Sequence, residues 1–160
     1  MSLGSDDQKQ IDELYPPDRE LFRQFVADAK ATLNAVIFEG YRSLPRQKEL
    51  YAQGRTMPGD IVTNSQPGYS YHQYGLAIDL VFNTNKPWGE DYPWAELGKL
   101  GESYGLEWGG NWKFPAPFDR PHFQLTHGWS IQRLYAEYEK TWRLADVWAT
   151  LNRTIKEGVA

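Results

Sequence analysis

The amino-acid sequence predicts an α+β fold in which helices pack on a small, mainly antiparallel sheet. Two stretches carry apolar residues at helical spacing, one near each end of the chain, and each predicts helix with one buried face. Between them lie short runs of β-branched and aromatic residues, separated by segments rich in Gly, Pro and Asn, which is typical of short strands. At 160 residues the chain is long enough for one domain with a core of its own.

The first half of the chain is predicted to hold a helix, a strand and a second helix. Apolar residues recur at helical spacing over 18–34, and Asp18 is in position to cap that helix. The β-rich run 35–41 predicts the first strand, after which Pro45 suits the first turn of a short helix. Residues 56–71 are dense in Gly, Pro, Asn and Ser, so we expect a long loop there.

The second half is predicted to hold three further strands, one helix between them and a helical tail. The strands are expected at 76–82, 106–108 and 122–126. The helix is expected near 94–104, and the tail over 130–156 carries an apolar face that should pack on the domain. Residues 111–118 contain two prolines and predict a loop that leads to Asp119.

Composition excludes several classes of protein. The net charge of −4 is small and is not arranged in blocks, so neither a nucleic-acid partner nor a basic membrane surface is expected. No stretch approaches the roughly 18 apolar residues of a membrane span. The absence of cysteine excludes a disulfide framework, a cysteine nucleophile and thiolate metal ligands. We expect no membrane span, and we expect the protein to be a monomer.

The first ten residues are polar and acidic, and they lack the basic start and apolar centre of a secretory signal. Residues 1–13 are therefore expected to be disordered or carried over from cloning, and residues 14–160 to form a single domain that includes the C-terminal helical segment. Two origins stay open at this point. One is a native leader that has been removed, and the other is a leaderless protein that crosses the inner membrane by another route.

Two separated motifs carry candidate metal ligands. The first reads S-x-H-x-x-G-x-A-x-D and contains His72 and Asp79, and the second reads D-x-P-H-F and contains His122. Two histidines and one carboxylate suit zinc, and catalytic zinc takes three protein ligands and leaves one position for water. Asp79 lies in the apolar run 76–82, where an unpaired carboxylate is costly to bury, so we expect a cation beside it. An arginine partner is the alternative.

A carboxylate in the second motif is the candidate general base. Asp119 lies three residues before His122, where it could accept a proton from water that attacks a carbonyl group. Glu107 is the rival base, and for Asp119 the alternative is a loop carboxylate that caps a turn. The residues alone thus predict a zinc hydrolase.

These motifs together resemble the zinc peptidases that cut the stem peptides of peptidoglycan. That family includes D-alanyl-D-alanine carboxypeptidases, L-alanyl-D-glutamate endopeptidases and phage endolysins, and it shares its fold with the hedgehog signalling domain. The resemblance covers about residues 39–126. It also takes in Gly40-Tyr-Arg42-Ser43, Leu50-Tyr-Ala-Gln-Gly-Arg55 and Leu106-Glu-Trp-Gly-Gly110. The first two of these elements are most similar to the endopeptidase and endolysin branch.

The resemblance implies one zinc ion per chain, held by His72, Asp79 and His122, with Asp119 as the base. Arg42 matches the family arginine that holds substrate or stabilises charge on the carbonyl oxygen, and a surface ion pair is its alternative. The implied activity is an L-alanyl-D-glutamate endopeptidase on the peptidoglycan stem peptide. A D-alanyl-D-alanine carboxypeptidase or dipeptidase is one alternative, and a non-catalytic wall-binding module is another. The implied location is the periplasm or the cell wall, which a phage lysin would reach from the host cytoplasm.

Supporting roles are expected for several other residues. Ser70 either bonds to the metal-binding residues or forms a turn, and His127 is expected to be structural or capping. Residues expected to support the Arg42 loop are Gln47, Tyr51 and Arg55. Candidate walls of a substrate groove, with core packing as the alternative, are Trp108, Trp112 and Tyr74.

Overall fold

The computed structural model describes residues 4–113 and 119–158, and these residues form the predicted α+β fold. The helices among them are α1 (Ser5–Asp12), α2 (Arg19–Leu33), α3 (Leu44–Ala52), α4 (Trp94–Ser103), α5 (Ile131–Tyr138) and α6 (Leu144–Lys156). The strands are β1 (Ala35–Glu39), β2 (Ala77–Phe82), β3 (Glu107–Trp108) and β4 (His122–Gln124), and a short 3₁₀ helix occupies Tyr71–Tyr74. Within the described ranges, no helix is both long and apolar enough to cross a membrane.

The chain divides into two compact units. One comprises Met1–Tyr41 and Leu76–Leu125, and it contains all four strands. The other comprises Arg42–Gly75 and Thr126–Ala160, and it contains α3, α5, α6 and the 3₁₀ helix.

The four strands of the first unit form one antiparallel sheet in the order β1-β2-β4-β3. Side chains alternate between the two faces of a strand. One face carries Ile78 and Phe123 into the core that also holds Phe25 of α2. The other face carries polar side chains, and the register pairs Asp79 of β2 directly with His122 of β4. The sheet therefore places two of the predicted ligands side by side.

Helix α2 agrees with the sequence prediction in its bounds but not in its cap. Its buried residues recur on one side, as the apolar spacing predicts, and they are Phe22, Phe25, Val26 and Ala29. Asn34 ends the helix in the left-handed conformation, with φ of 55°. Asp18 precedes the helix as predicted, but its side chain makes no capping hydrogen bond.

The prediction of a disordered N-terminus is wrong for residues 5–12, which form α1. Ile11 is completely buried in the core. Asp7 Oδ1 accepts a hydrogen bond from the backbone N–H of Ile37 at 3.1 Å. Gln10 accepts one from the backbone N–H of Gly40 at 2.8 Å and donates to the carbonyl of Phe38 at 3.3 Å. The polar side chains that suggested a solvated tail serve β1 instead, through contacts that local composition cannot show.

The second unit contains two corrections to the sequence predictions. The tail is two helices, α5 and α6, because the chain between them turns at Trp142, which has φ of 58° and is exposed. Tyr74 is no groove wall, since it is buried and its hydroxyl donates to the carbonyl of Gly68 at 2.7 Å. The indole N–H of Trp148 in α6 donates to the carbonyl of Tyr74 at 2.8 Å, so the tail packs on the 3₁₀ helix.

Candidate metal centre

His72, Asp79 and His122 form a group that could hold a metal ion. One ligand atom from each residue lies within 4.8 Å of the ligand atoms of the others. The two histidines are buried and Asp79 is half-buried. Two imidazole nitrogens and one carboxylate oxygen are a donor set that zinc accepts, and three protein ligands leave a coordination position open. The donor set therefore fits the predicted zinc ion.

His72 is held by the cap of the short 3₁₀ helix. The hydroxyl of Ser70 accepts a hydrogen bond from the backbone N–H of His72 at 3.3 Å. The side chain of Gln73 accepts the backbone N–H of Ser70 at 3.2 Å and completes a capping box. Gly75 then ends the helix with φ of 68°, which costs glycine no strain. Ser70 therefore forms the turn and also bonds to the backbone of His72, one of the candidate ligands.

His122 is enclosed by hydrogen-bonding groups on both of its ring nitrogens. Nδ1 lies 3.1 Å from Oδ1 of Asp79, and Nε2 lies 2.8 Å from Oε1 of Gln124. Burial alone would lower the pKa of His122. The hydrogen bond and charge of Asp79, the charge of Asp119 and the bond to Gln124 together raise this pKa above its ordinary value. The surroundings of His122 thus favour positive charge, as expected where a cation binds.

Asp119 is held next to His122 by the backbone. Its N–H donates to the carbonyl of Gly109 at 3.0 Å, and its own carbonyl accepts the N–H of His122 at 3.2 Å. The side chain is exposed, and its charge acts on His122. A Cβ atom at position 109 would lie 2.4 Å from the carbonyl oxygen of Asp119, so this approach requires glycine. Residues 114–118 of the predicted loop lie outside the described residues.

Glu107, the rival base, anchors a tryptophan. Its Oε1 accepts the indole N–H of Trp112 at 2.7 Å. The ring of Trp112 lies against the ring of His122, with centroids 5.0 Å apart and a tilt of 48°. Trp108 instead donates its indole N–H to the carbonyl of Arg120 and packs on Gly98. Among the aromatic residues predicted as groove walls, Trp112 is in contact with a candidate ligand.

Arg42 is buried and connects to the segment that carries His72. Its backbone N–H donates to the carbonyl of His72 at 3.0 Å, and its Nη1 donates to Oε1 of Gln47 at 2.9 Å. Gln47 also donates to the carbonyl of Ser65 at 2.7 Å, so the predicted support of Arg42 by Gln47 is confirmed. Arg55 donates to the carbonyl of Tyr51 and lies over its ring, which stiffens the same region.

His127 does not belong to the metal-binding group. It lies in a turn closed by the hydrogen bond from the N–H of Trp129 to the carbonyl of Thr126, and its φ is 52°. Sequence reasoning gave no role to Gln124 or Gly109. The signal for Gln124 is its position two residues after His122, which places both side chains on one face of a strand. Gly109 has no such signal, because its effect arises from a contact with a distant segment.

Comparisons with known proteins agree with the resemblance found in the sequence. A family model described as D-alanyl-D-alanine carboxypeptidase matches residues 63–125. The chain is 40% identical over 110 residues to the peptidoglycan L-alanyl-D-glutamate endopeptidase CwlK of Bacillus subtilis (strain 168). That match covers 62% of this chain and spans 65% of the length of CwlK, which is less than two thirds of that relative.

Two solved structures share the fold. The L-Ala D-Glu endopeptidase ChiX of Serratia marcescens matches with a TM-score of 0.54 and 26% sequence identity. The match covers 79% of this chain and 90% of the ChiX chain. The vancomycin-resistance D,D-dipeptidase VanXYg, solved with a D-Ala-D-Ala phosphinate analogue, matches with a TM-score of 0.55. The two sequences are 22% identical, and the match covers 78% of this chain and 59% of the VanXYg chain. At this identity the match is evidence for the fold but not for the activity. Over residues 63–125 the chain is therefore similar to peptidases of the M15 family, and its fold is that of solved peptidase structures.

Proposed function

We propose that this protein is a zinc-dependent peptidase that hydrolyses an amide bond in the peptidoglycan stem peptide, between L-alanine and D-glutamate. The observation that carries the proposal is the group formed by His72, Asp79 and His122, with the Asp119 carboxylate close enough to raise the pKa of His122. The identity to CwlK and the likeness to ChiX support the choice of bond. We expect the protein to act as a monomer at the cell wall or in the periplasm.

We propose that the three residues hold one zinc ion per chain. Their charges sum to one negative charge when both histidines are neutral, so the bound ion would keep a net positive charge. When bound, zinc supplies Lewis acidity that acidifies water and polarises a carbonyl group. Burial of both histidines keeps bulk water away from their rings and strengthens electrostatic interactions at the site.

Asp119 is the proposed general base. Its carboxylate is exposed to the solvent from which the attacking water comes, and its backbone is fixed from two sides by Gly109 and His122. It would accept the proton of the attacking water and later donate that proton to the leaving amine. Glu107 is already bonded to Trp112 through its side chain, which favours Asp119 for proton transfer.

Arg42 is the proposed electrostatic stabiliser of the transition state. A fixed cationic donor stabilises the negative charge that develops on the carbonyl oxygen, and it does so best when its position is set before the reaction. Burial and the bond to Gln47 restrict Arg42 in this way. Its backbone bond to His72 ties this restriction to the segment that carries a metal ligand.

The alternative function is a D-alanyl-D-alanine carboxypeptidase, which is the description of the matching family model. Digestion of purified peptidoglycan by the zinc-loaded protein, followed by mass spectrometry, tests both. New fragments that begin at D-glutamate support the endopeptidase, whereas free D-alanine supports the carboxypeptidase. Asp119→Asn should release neither, while Asp12→Asn, which changes an exposed aspartate on α1, should digest as the wild type does. Binding to peptidoglycan without any released fragment would instead indicate the wall-binding module.

A further inference from the structure

Gln124 lies against His122, a candidate ligand whose two ring nitrogens both have close polar neighbours. It is buried on β4, two residues after His122, so both side chains lie on the same face of the sheet. Its Oε1 is 2.8 Å from Nε2 of His122. An amide oxygen can only accept a hydrogen bond, so Nε2 must carry the proton in this contact.

Because Nε2–H is bonded to Gln124, Nδ1 is the ring nitrogen that faces Asp79, at 3.1 Å from its Oδ1. In the metal-free protein a second proton on Nδ1 makes this contact a hydrogen bond to the carboxylate, in keeping with the raised pKa of His122. A metal ion that displaced this proton would meet Nδ1 and Oδ1 together, while Nε2–H stayed bonded to Gln124. The contact with Gln124 therefore leaves Nδ1 as the nitrogen available as a ligand atom.

The ring of His122 also has little freedom to reverse this arrangement. Trp112 packs on it with ring centroids 5.0 Å apart, and Trp112 is in turn held by Glu107 at 2.7 Å. A half-turn of the imidazole would exchange its two nitrogens and bring the wrong one to each of its partners.

We propose that Gln124 is a positioning residue that fixes the tautomer of His122, so that Nδ1 is the atom offered to the metal ion. This inference rests on the proposed function, because it assumes that His122 is a metal ligand. The hydrogen bond made by one ring nitrogen of a ligand histidine sets which nitrogen binds the metal. Such supporting bonds typically change metal affinity by about 10–100-fold.

Zinc affinity, measured by competition with a chelator, is the first test. Gln124→Leu removes the acceptor at similar volume and should weaken zinc binding by about 10–100-fold. Gln124→Glu keeps an oxygen acceptor for Nε2–H and should retain the affinity. The matched control is Gln10→Leu, which removes another side-chain oxygen that accepts a hydrogen bond, from the N–H of Gly40, in the same unit. This control should lower stability and leave zinc affinity unchanged.

Nitrogen-15 NMR of His122, in the metal-free protein and after zinc is added, is the second test, and its metal-free measurement does not depend on zinc. The wild type should show a proton on Nε2 both in the charged ring, where Asp79 also holds a proton on Nδ1, and after zinc has displaced the Nδ1 proton. Gln124→Leu should lose the preference for the Nε2 proton. A wild-type Nε2 without a proton, or unchanged zinc affinity in a folded Gln124→Leu protein, would overturn the proposal. If the wild type bound no zinc but kept the Nε2 proton, the proposed function would fail while the positioning by Gln124 stood. If Gln124→Leu does not fold, the zinc affinity of Gln124→Glu and the protonation of Nε2 in the wild type test the proposal in its place.

Discussion

Gly109→Ala should disable the site through a single added methyl group. The new Cβ would lie 2.4 Å from the carbonyl oxygen of Asp119 and 3.1 Å from the Cβ atoms of Asp119 and His122. Ordinary contact begins at 3.4 Å, so the carbonyl of Asp119 must retreat by about 1 Å. A misplacement of about 1 Å in a catalytic group can cost roughly 10²-fold in rate. We therefore expect kcat to fall by about that factor, with smaller loss of zinc affinity, since the contact with His122 is less severe.

The assay is the rate of peptide release from purified peptidoglycan, with zinc content measured on the same samples. Gly105→Ala is the matched control, because a Cβ at position 105 meets nothing within 4 Å, although φ there is +81°. The left-handed conformation should cost this variant about 1–2 kcal/mol of stability without moving Asp119. Near-normal turnover by a folded, zinc-loaded Gly109→Ala protein would refute the claim that this glycine sets the position of the base.

Three further substitutions separate the roles at the site. Asp119→Ala should reduce turnover by about 10²–10⁴-fold while zinc content stays at one per chain, because only proton transfer is lost. If Glu107→Gln were the inactive variant instead, elemental analysis and turnover together would show that the two carboxylates have exchanged roles. Arg42→Ala should lower kcat and kcat/KM together by about 10²–10³-fold, and Arg42→Lys should recover little, because lysine loses the planar fork. A rise in KM alone would favour binding of a terminal carboxylate and hence the carboxypeptidase. His122→Ala should lose stoichiometric zinc, and a chelator should lower the Tm of the wild type, because zinc binds the native state better than the unfolded chain.

The parts of the structure that follow from local pattern were predictable from the sequence. Helical spacing gave the bounds of α2, and the apolar run around Asp79 gave β2. The ligand set His72, Asp79 and His122 followed from motifs, and the structure brings the three together. In each of these cases the signal lies in neighbouring residues, where spacing and burial act directly.

The parts that depend on contacts between distant segments were not predictable. The polar residues in α1 suggested a solvated tail because their partners, in β1 and just after it, lie 30 residues away in the sequence. Trp142 fits a continuous helical stripe, yet the chain reverses there and exposes it. Tyr74 lies next to the metal-binding motif but packs inward, because its hydroxyl finds a carbonyl partner at Gly68. Gly109 is needed only because Asp119 crosses close to it.

Helix α1 protects one open side of the sheet. Strand β1 is the outermost strand in the order β1-β2-β4-β3, so its outward N–H and C=O groups could pair with a strand from another molecule. Asp7 and Gln10 form hydrogen bonds with three backbone groups in or next to β1. These groups are the N–H of Ile37, the carbonyl of Phe38 and the N–H of Gly40. Detachment of α1 would uncover a template for intermolecular strand addition. Helix α1 thus covers an edge that could otherwise take part in aggregation, a role distinct from the chemistry at Asp79 on the neighbouring strand β2.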